Sequence, residues 1–385
     1  MSFAIGVALF SLIQPQIEAK LPPNGVAVIS AERIGNYLKV TAIVNEKPLR
    51  LIVDSGAGLN VLTPNAAKIA GIEGGQAIQA SGAGAGVTQA RIVTLKEFRL
   101  GDATVKGDTA VVLELPKVLN CDGLVGYSFL RHFATTFDYD ANTLTVRVSG
   151  SYKPSAGEVE GKLRIRNNHP QVMGQIAGES GWMLIDTGNN GTTSILKWLV
   201  DKGNLVKSWP VSDEYIVGKG TGGQIKGYAA ISPGFDISGV SIPKGQVTLD
   251  SSGVGAFADK ETLANVGAEH LRRFRMTLDY IAQKAYFGKS KAYDSPLRVD
   301  RSGLRIDSML DKQMVVDVVK GSPGDIAGVK VGDMVLEIDG KKAEEVEPML
   351  FGSNLRQPAG TLVRLKISRQ GKVFDTSFKL EDLVK

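Results

Sequence analysis

Apolar positions along this chain fall in short runs rich in Val, Ile, Leu and Thr, closed by Gly or Asp rather than repeating at helical spacing. Runs of that kind predict strands, here over residues 50–53, 89–95, 109–114 and 143–148. Residues 126–131 and 193–200 read better as short helices. An apolar stretch from Phe3 to Ile13, followed by Pro15 and the small Ala19, has the shape of a secretory signal over residues 1–20. No Lys or Arg precedes it, and Ile17 is large for its place, so a first core strand or a misassigned start codon is the alternative. The signal reading puts the protein in the periplasm, or anchored to the membrane and facing it; the alternative leaves it in the cytoplasm. No apolar run reaches the roughly 18 residues of a spanning helix.

The pattern repeats. Leu51-Ile52-Val53-Asp54-Ser55-Gly56 is matched by Met183-Leu184-Ile185-Asp186-Thr187-Gly188. Residues 124–139 are matched by residues 265–280, with eight of sixteen positions identical and Gly126 and Gly267 each twelve positions before an Asp-Tyr pair. The order is the same in both copies. Each also carries a glycine cluster about thirty residues after its Asp-Ser/Thr-Gly, at Gly82, Gly84 and Gly86 and at Gly218, Gly220, Gly222 and Gly223. Such clusters suit mobile hairpin tips where positive φ or close backbone approach is needed.

Length and composition fit this organisation. At 385 residues the chain is long for one domain. Its 45 glycines against 6% aromatic residues favour a β-rich design with tight turns. The 45 basic and 40 acidic residues are interspersed, which argues against nucleic-acid binding, because phosphate recognition needs clustered positive charge. One cysteine, Cys121, excludes an intramolecular disulfide framework and reads as a small buried hydrophobe. His132, His169 and His270 show no metal-ligand spacing, and no Gly-x-Ser-x-Gly marks a serine nucleophile.

Chemistry concentrates at the two aspartates. In each motif a buried strand delivers a carboxylate, the glycine lets the chain turn, and the Ser55 or Thr187 hydroxyl can donate within the turn. Loops related by a pseudo-twofold would bring Asp54 and Asp186 together. Two carboxylates at close range share one proton at intermediate pH. One can then deprotonate a water while the other donates to a scissile carbonyl, with no covalent intermediate. Asp138-Tyr139 and Asp279-Tyr280 read as structural turns.

These residues resemble the aspartic peptidases, most closely the bacterial retropepsin-like group with both lobes on one chain, over about residues 25–288. The resemblance rests on Asp54-Ser55-Gly56-Ala57, Asp186-Thr187-Gly188, Leu124-Val125-Gly126 and the glycine-rich segments. It implies a mainly β protein of two closed β-barrel lobes, spanning 25–150 and 158–288. Asp54 and Asp186 would be catalytic, Ser55, Gly56, Thr187 and Gly188 would support them, and Gly82 to Gly86 would form the main flap. Water being the nucleophile, no metal or organic cofactor is implied. The chain departs from the pattern at two positions. Asn265 stands in place of an apolar residue, which would loosen packing below Asp186. Asn189 stands where the first copy has Ala57, which would put a polar group beside the pair.

Beyond a polar linker over 289–296, residues 297–385 resemble a PDZ domain of the bacterial protease type, a small β-sandwich with short helices. The resemblance rests on Gly321-Ser322-Pro323, Ala327-Gly328-Val329 and Val331-Gly332-Asp333. It implies binding of extended polypeptide at a sheet edge, with Gly303, Leu304, Arg305 and Ile306 as the peptide-binding loop. Arg305 leaves open whether C-termini or internal segments are taken, and the module could instead simply pack on the lobes. The expectation is an aspartic endopeptidase whose PDZ module recruits or gates polypeptide substrates. The rival is a non-catalytic peptide-binding or scaffold protein of the same fold.

Overall fold

The computed structural model describes residues 17–309 and 312–384. The apolar stretch from Phe3 to Ile13 lies outside them, whereas Glu18–Lys20 forms an edge strand on Ala103–Lys106. The protein is mainly β, with three sheets among the described residues. In the first, Lys47–Val53 runs antiparallel to Tyr37–Val44 and parallel to Gly123–Val125. Leu51, Ile52 and Val53 are all buried, as expected for a strand covered on both faces. The second copy repeats the arrangement: Glu179–Asp186 runs parallel to Thr262–Gly267. In both, the strand that ends at the aspartate lies beside the strand that ends at Val-Gly.

The two copies meet within the second sheet, which also carries the second copy's strands Glu179–Asp186 and Thr262–Gly267. Ala134–Asp138 pairs antiparallel with Phe274–Asp279, Thr136 facing Thr277, and the two hydroxyls lie 2.8 Å apart. Thr136 and Thr277 occupy equivalent positions in the repeat, so the pseudo-twofold axis passes between them. Outward from this pair come Thr143–Arg147 and then Val26–Ser30 on one side, Lys284–Lys289 and then Val159–Arg166 on the other. The order is therefore matched for two strands on either side of the central pair, beyond which Val159–Arg166 continues into His169–Ile176, and one hydrophobic core runs through both copies.

Local expectations largely hold. Residues 126–131 contain the helix Tyr127–Leu130. The helix expected over 193–200 is displaced: Ser194–Ile195 instead pairs in parallel with Thr248 and Leu249, and Lys197–Lys202 is helical. The β-branched Thr192, Thr193 and Ile195 favour that extended start. Asp138 accepts the N–H groups of Asp140 and Ala141, and Asp279 those of Gly150 and Ala282, so both Asp-Tyr pairs are turn-forming. Cys121 is partly exposed rather than buried.

The third sheet runs in the order Leu304–Met309, Lys312–Val318, Met334–Ile338, Leu362–Arg369, Lys372–Lys379, around a separate core that includes Val315, Val335, Phe351 and Leu365. Ser322 caps the helix Pro323–Ile326, with Pro323 in its first turn. The polar stretch before this module is held down: Arg273 donates to Tyr293 and Ser295 carbonyls, and Tyr293 packs edge-on against Phe274. No helix among the described residues is long and apolar enough to cross a membrane.

Candidate active site

Each aspartate lies where a buried strand ends, and the loops that follow are tied to one another. Thr187 Oγ1 accepts the Ser55 N–H at 3.0 Å and donates to the Val53 carbonyl at 2.9 Å. Ser55 Oγ accepts the Thr187 N–H at 3.1 Å and donates to the Ile185 carbonyl at 2.7 Å. Each hydroxyl thus supports the loop of the other copy, and both side chains are essentially inaccessible. Four satisfied hydrogen bonds in a dry environment define the loops tightly, since losing one partner would strand a buried polar group.

The glycines then let the carboxylates meet. A Cβ added to Gly56 would fall within the Asp186 carboxylate, and one added to Gly188 within that of Asp54. At these positions glycine is needed for close approach, not for backbone conformation. Gly56 N–H donates to Asp54 Oδ1 at 2.8 Å, and Gly188 N–H to Asp186 Oδ1 at 2.9 Å. Burial, and after it the neighbouring Asp186 charge, push the Asp54 carboxyl well above its usual range, against the Gly56 and Ala57 N–H groups.

Asn265 behaves differently from expectation, whereas Asn189 does place a polar group beside the pair. Asn265 is buried and loosens nothing; its Nδ2 donates to Asp186 Oδ2 at 2.7 Å, and its Oδ1 accepts Asn189 Nδ2 at 3.0 Å. The polar neighbour foreseen for Asn189 acts on Asp186 through Asn265 and through its own N–H, 3.0 Å from Asp186 Oδ1. His270 offers no competing base: burial, with Arg273 nearby, lowers it to about 3, and Thr193 holds its Nδ1.

The two glycine clusters face each other. Gly82, Gly84 and Gly86 sit in the turn between Gln76–Ser81 and Val87–Thr94, Gly222 in the turn between Tyr215–Gly220 and Gly223–Ile237, whose first residue is Gly223. Gly84 N–H donates to Thr221 O at 2.9 Å and Gly86 N–H to Gly222 O at 2.8 Å. A Cβ at Gly84 would strike the Gly222 backbone, so in the first cluster glycine serves close approach rather than positive φ.

In the C-terminal module Gly303 has φ +72°, and its N–H donates to Asp300 Oδ2, while the Leu304 N–H donates to Ser302 Oγ. Two N–H groups of this loop are therefore already engaged. Leu304 is buried in the module core, Ile306 packs against it, and Arg305 lies 3.3 Å from Asp307. Sequence reasoning missed how this module meets the rest. Asp317 accepts the Ile216 N–H at 2.6 Å, Lys219 lies 3.7 Å from Asp307, and Asn120 donates to Glu347 at 3.0 Å. The turn Lys117–Leu119 of the first copy lies beside both Leu304–Met309 and the helix Pro348–Phe351. Nothing in the sequence marks these residues, because each is an ordinary surface polar group until the chain is folded.

Comparison with known proteins adds two family matches: residues 40–129 match Aspartyl protease and residues 314–369 match PDZ domain. Among curated proteins, the "Probable periplasmic serine endoprotease DegP-like" of Chlamydia trachomatis is 40% identical over 62 residues, covering 16% of this chain and 12% of that protein. Its namesake in Chlamydia pneumoniae is 39% identical over the same shares. This chain thus spans about 12% of the length of the curated relatives it matches. Among solved structures, the aspartic proteinase from Irpex lacteus is similar at 12% identity, covering 70% of this chain and 99% of that one, with a TM-score of 0.47. The retropepsin-like aspartic protease from Rickettsia conorii is similar at 23% identity over 34% and 94% of the two chains, with a TM-score of 0.27. The chain combines an aspartyl-protease-like segment with a PDZ-like module, and the family match supports a peptidase-type function.

Proposed function

We propose that the chain is an aspartic endopeptidase in which Asp54 and Asp186 activate a water, with lobes over 25–150 and 158–288 and a PDZ module over 297–385 that gates or recruits polypeptide substrate. The observation that carries this reading is the reciprocal Ser55–Thr187 lock, which sets two carboxylates against the Gly56 and Gly188 backbones of the opposite loops. A catalytically idle fold has no need of two acids held together at the cost of mutual repulsion.

The steps follow from one shared proton. The ionised carboxylate takes a proton from water as the oxygen attacks the peptide carbonyl carbon, and the protonated carboxyl gives its proton to the carbonyl oxygen. In the resulting gem-diol the first acid then protonates the amide nitrogen, the C–N bond breaks, and the second acid recovers a proton from a hydroxyl. One water is consumed, an acid and an amine are released, and the pair is restored.

Gating is supported by the contacts of the PDZ module with the hairpin that carries Gly222 and with the first lobe. The engaged N–H groups of Gly303 and Leu304 favour internal extended segments over C-terminal carboxylates. Export to the periplasm is proposed from the apolar stretch Phe3 to Ile13 together with the periplasmic designation of the curated relatives; an intact Met1 on soluble cytoplasmic protein from the native cell would refute it. The activity is tested by incubating wild type and Asp54→Asn with a denatured protein pool between pH 4 and pH 7. Cleavage by wild type alone is expected. Cleavage that persists in Asp54→Asn would sink the dyad, and none by wild type would favour a scaffold.

A further inference from the structure

We propose that Asn265, oriented by Asn189, is a positioning residue that makes Asp186 the ionised member of the pair and leaves the shared proton on Asp54. The assignment of Asp186 as base toward water, and of Asp54 as acid toward the carbonyl, rests on the peptidase reading above; the location of the proton does not.

The argument starts from what differs between equivalent positions. Leu124 and Ala57 flank Asp54, whereas their counterparts Asn265 and Asn189 flank Asp186. The two changes act together. Asn189 Oδ1 accepts the Gly191 N–H at 3.0 Å, which turns its Nδ2 toward Asn265 Oδ1 and the Thr192 carbonyl. With Oδ1 of Asn265 occupied by a donor, its Nδ2 must face Asp186 Oδ2, and the amide cannot flip without setting donor against donor. Every link in this relay therefore points an N–H toward the Asp186 carboxylate.

Asp186 accepts three N–H groups across both oxygens, from Gly188, Asn189 and Asn265. Donors to a carboxylate favour its charged form. Among the described residues the N–H groups that reach Asp54 are those of the Gly56 and Ala57 backbone, and its remaining side-chain hydrogen bond is to Asp186 itself. Leu124, half-buried against Val61 and Val111, supplies nothing equivalent. The remaining groups do not reverse this bias. Tyr37, Tyr280 and Cys121 sense the charge of Asp54, and Tyr37 and Tyr139 that of Asp186; burial raises all four, so they stay neutral where the pair titrates. Arg356 and Arg33 act on Tyr37 and Tyr139 respectively. Burial and the Asp186 charge raise Asp54, in the direction the geometry requires.

The test is a titration of the full chain labelled with 13C at the aspartate carboxyls, Asp54 and Asp186 being assigned with Asp54→Asn and Asp186→Asn. In wild type, the Asp186 signal should show the ionised form before that of Asp54 does. In Asn265→Leu, which installs the first-lobe residue, the lower step should rise by about one unit, a tenfold change in proton affinity, and spread over both signals. The acidic limb of kcat/KM against pH should move by the same amount. Should Asn265→Leu not fold, Leu124→Asn supplies the mirror experiment and should draw the proton toward an even distribution. An Asp54 that ionises first in wild type, or a lower step unmoved by either substitution, would overturn the proposal. Absence of cleavage by wild type with the proton still on Asp54 would instead remove the peptidase reading alone.

Discussion

The loops at Asp54 and Asp186 agree in everything that crosses the pseudo-twofold axis and differ in what faces a single carboxylate. Ser55 and Thr187 exchange equivalent hydrogen bonds, and Gly56 and Gly188 admit equivalent close approaches. Beside them, Leu124 and Ala57 stand against Asn265 and Asn189. Groups that bridge the axis have a partner in the other copy and can change only with it. Groups beside one carboxylate are free to diverge, and there the two acids can be given different tasks.

Removing either acid should have the largest effect. Asp54→Asn and Asp186→Asn should each lower turnover of a peptide substrate by about 10² to 10⁴, since each removes one half of the proton exchange. Equal loss from both would show that neither lobe is idle, and turnover surviving one of them would break the comparison at its root.

The hydroxyl exchange is tested next. Ser55→Ala strands the Thr187 N–H and the Ile185 carbonyl in a buried site, and should cost roughly 2 to 4 kcal/mol in urea unfolding. Thr187→Ala should cost a similar amount by stranding the Ser55 N–H and the Val53 carbonyl, whereas Thr187→Ser keeps the oxygen and should cost under about 1.5 kcal/mol. If the two hydroxyls act as one device, the double alanine variant will fall short of additivity by about 0.5 to 3 kcal/mol.

Buried acids elsewhere show the same contrast with opposite signs. In the first lobe Asp108 is fully buried; it has the Thr109 N–H and Arg131 at 3.6 Å, and its second oxygen has no partner among the described residues. Burial raises it to about 6. In the second lobe Glu269 is equally buried, yet Arg272, Asn36 and the Arg298 N–H outweigh burial and hold it below its usual range. A carboxyl raised in the folded state binds protons more tightly there than when unfolded, so ionising Asp108 lowers stability as pH rises from about 4 to 6. Asp108→Asn should remove that decline and raise stability at pH 7 by roughly 2 to 3 kcal/mol. Glu269 gives stability that is lost as pH falls through its lowered value, and Glu269→Gln should flatten the acid side. Unfolding curves at pH 4 and pH 7 would show the first, and curves carried below pH 4 the second.

The sequence revealed the repeat because symmetry needs the same residue types at the same spacing twice, and the segment containing Thr136 and Thr277 is that need written out. It also led to both aspartates and their hydroxyls. It misled at Asn265, since an amide in an apolar slot reads as a packing fault until Asn189 is seen to complete it. It also made residues 193–200 a helix, because a two-residue parallel pairing with Thr248 and Leu249 leaves too short a pattern to recognise. The contacts of Asp317, Asp307 and Glu347 were illegible for a further reason: exposed acids are common on any surface, and what distinguishes these is a partner more than a hundred residues away or in another module.

Those contacts supply the smallest expected effect, and it separates the two glycine hairpins. The hairpin around Gly222 is held by the C-terminal module through Ile216 and Lys219, whereas the one around Gly84 is held through its bonds to Thr221 and Gly222 and by the Ala256 N–H on the Gly82 carbonyl. Asp317→Ala removes one charge-assisted acceptor from the Ile216 N–H, a change worth about 1 kcal/mol at a half-exposed site. Amide exchange should then quicken by roughly fivefold over residues 215–228 while residues 76–94 change less, because the Asp317 contact is made to the second hairpin. If the module gates entry, turnover of a peptide substrate should rise by a similar factor. Equal exchange in both hairpins with unchanged turnover would mean that the module packs on the lobes without controlling them.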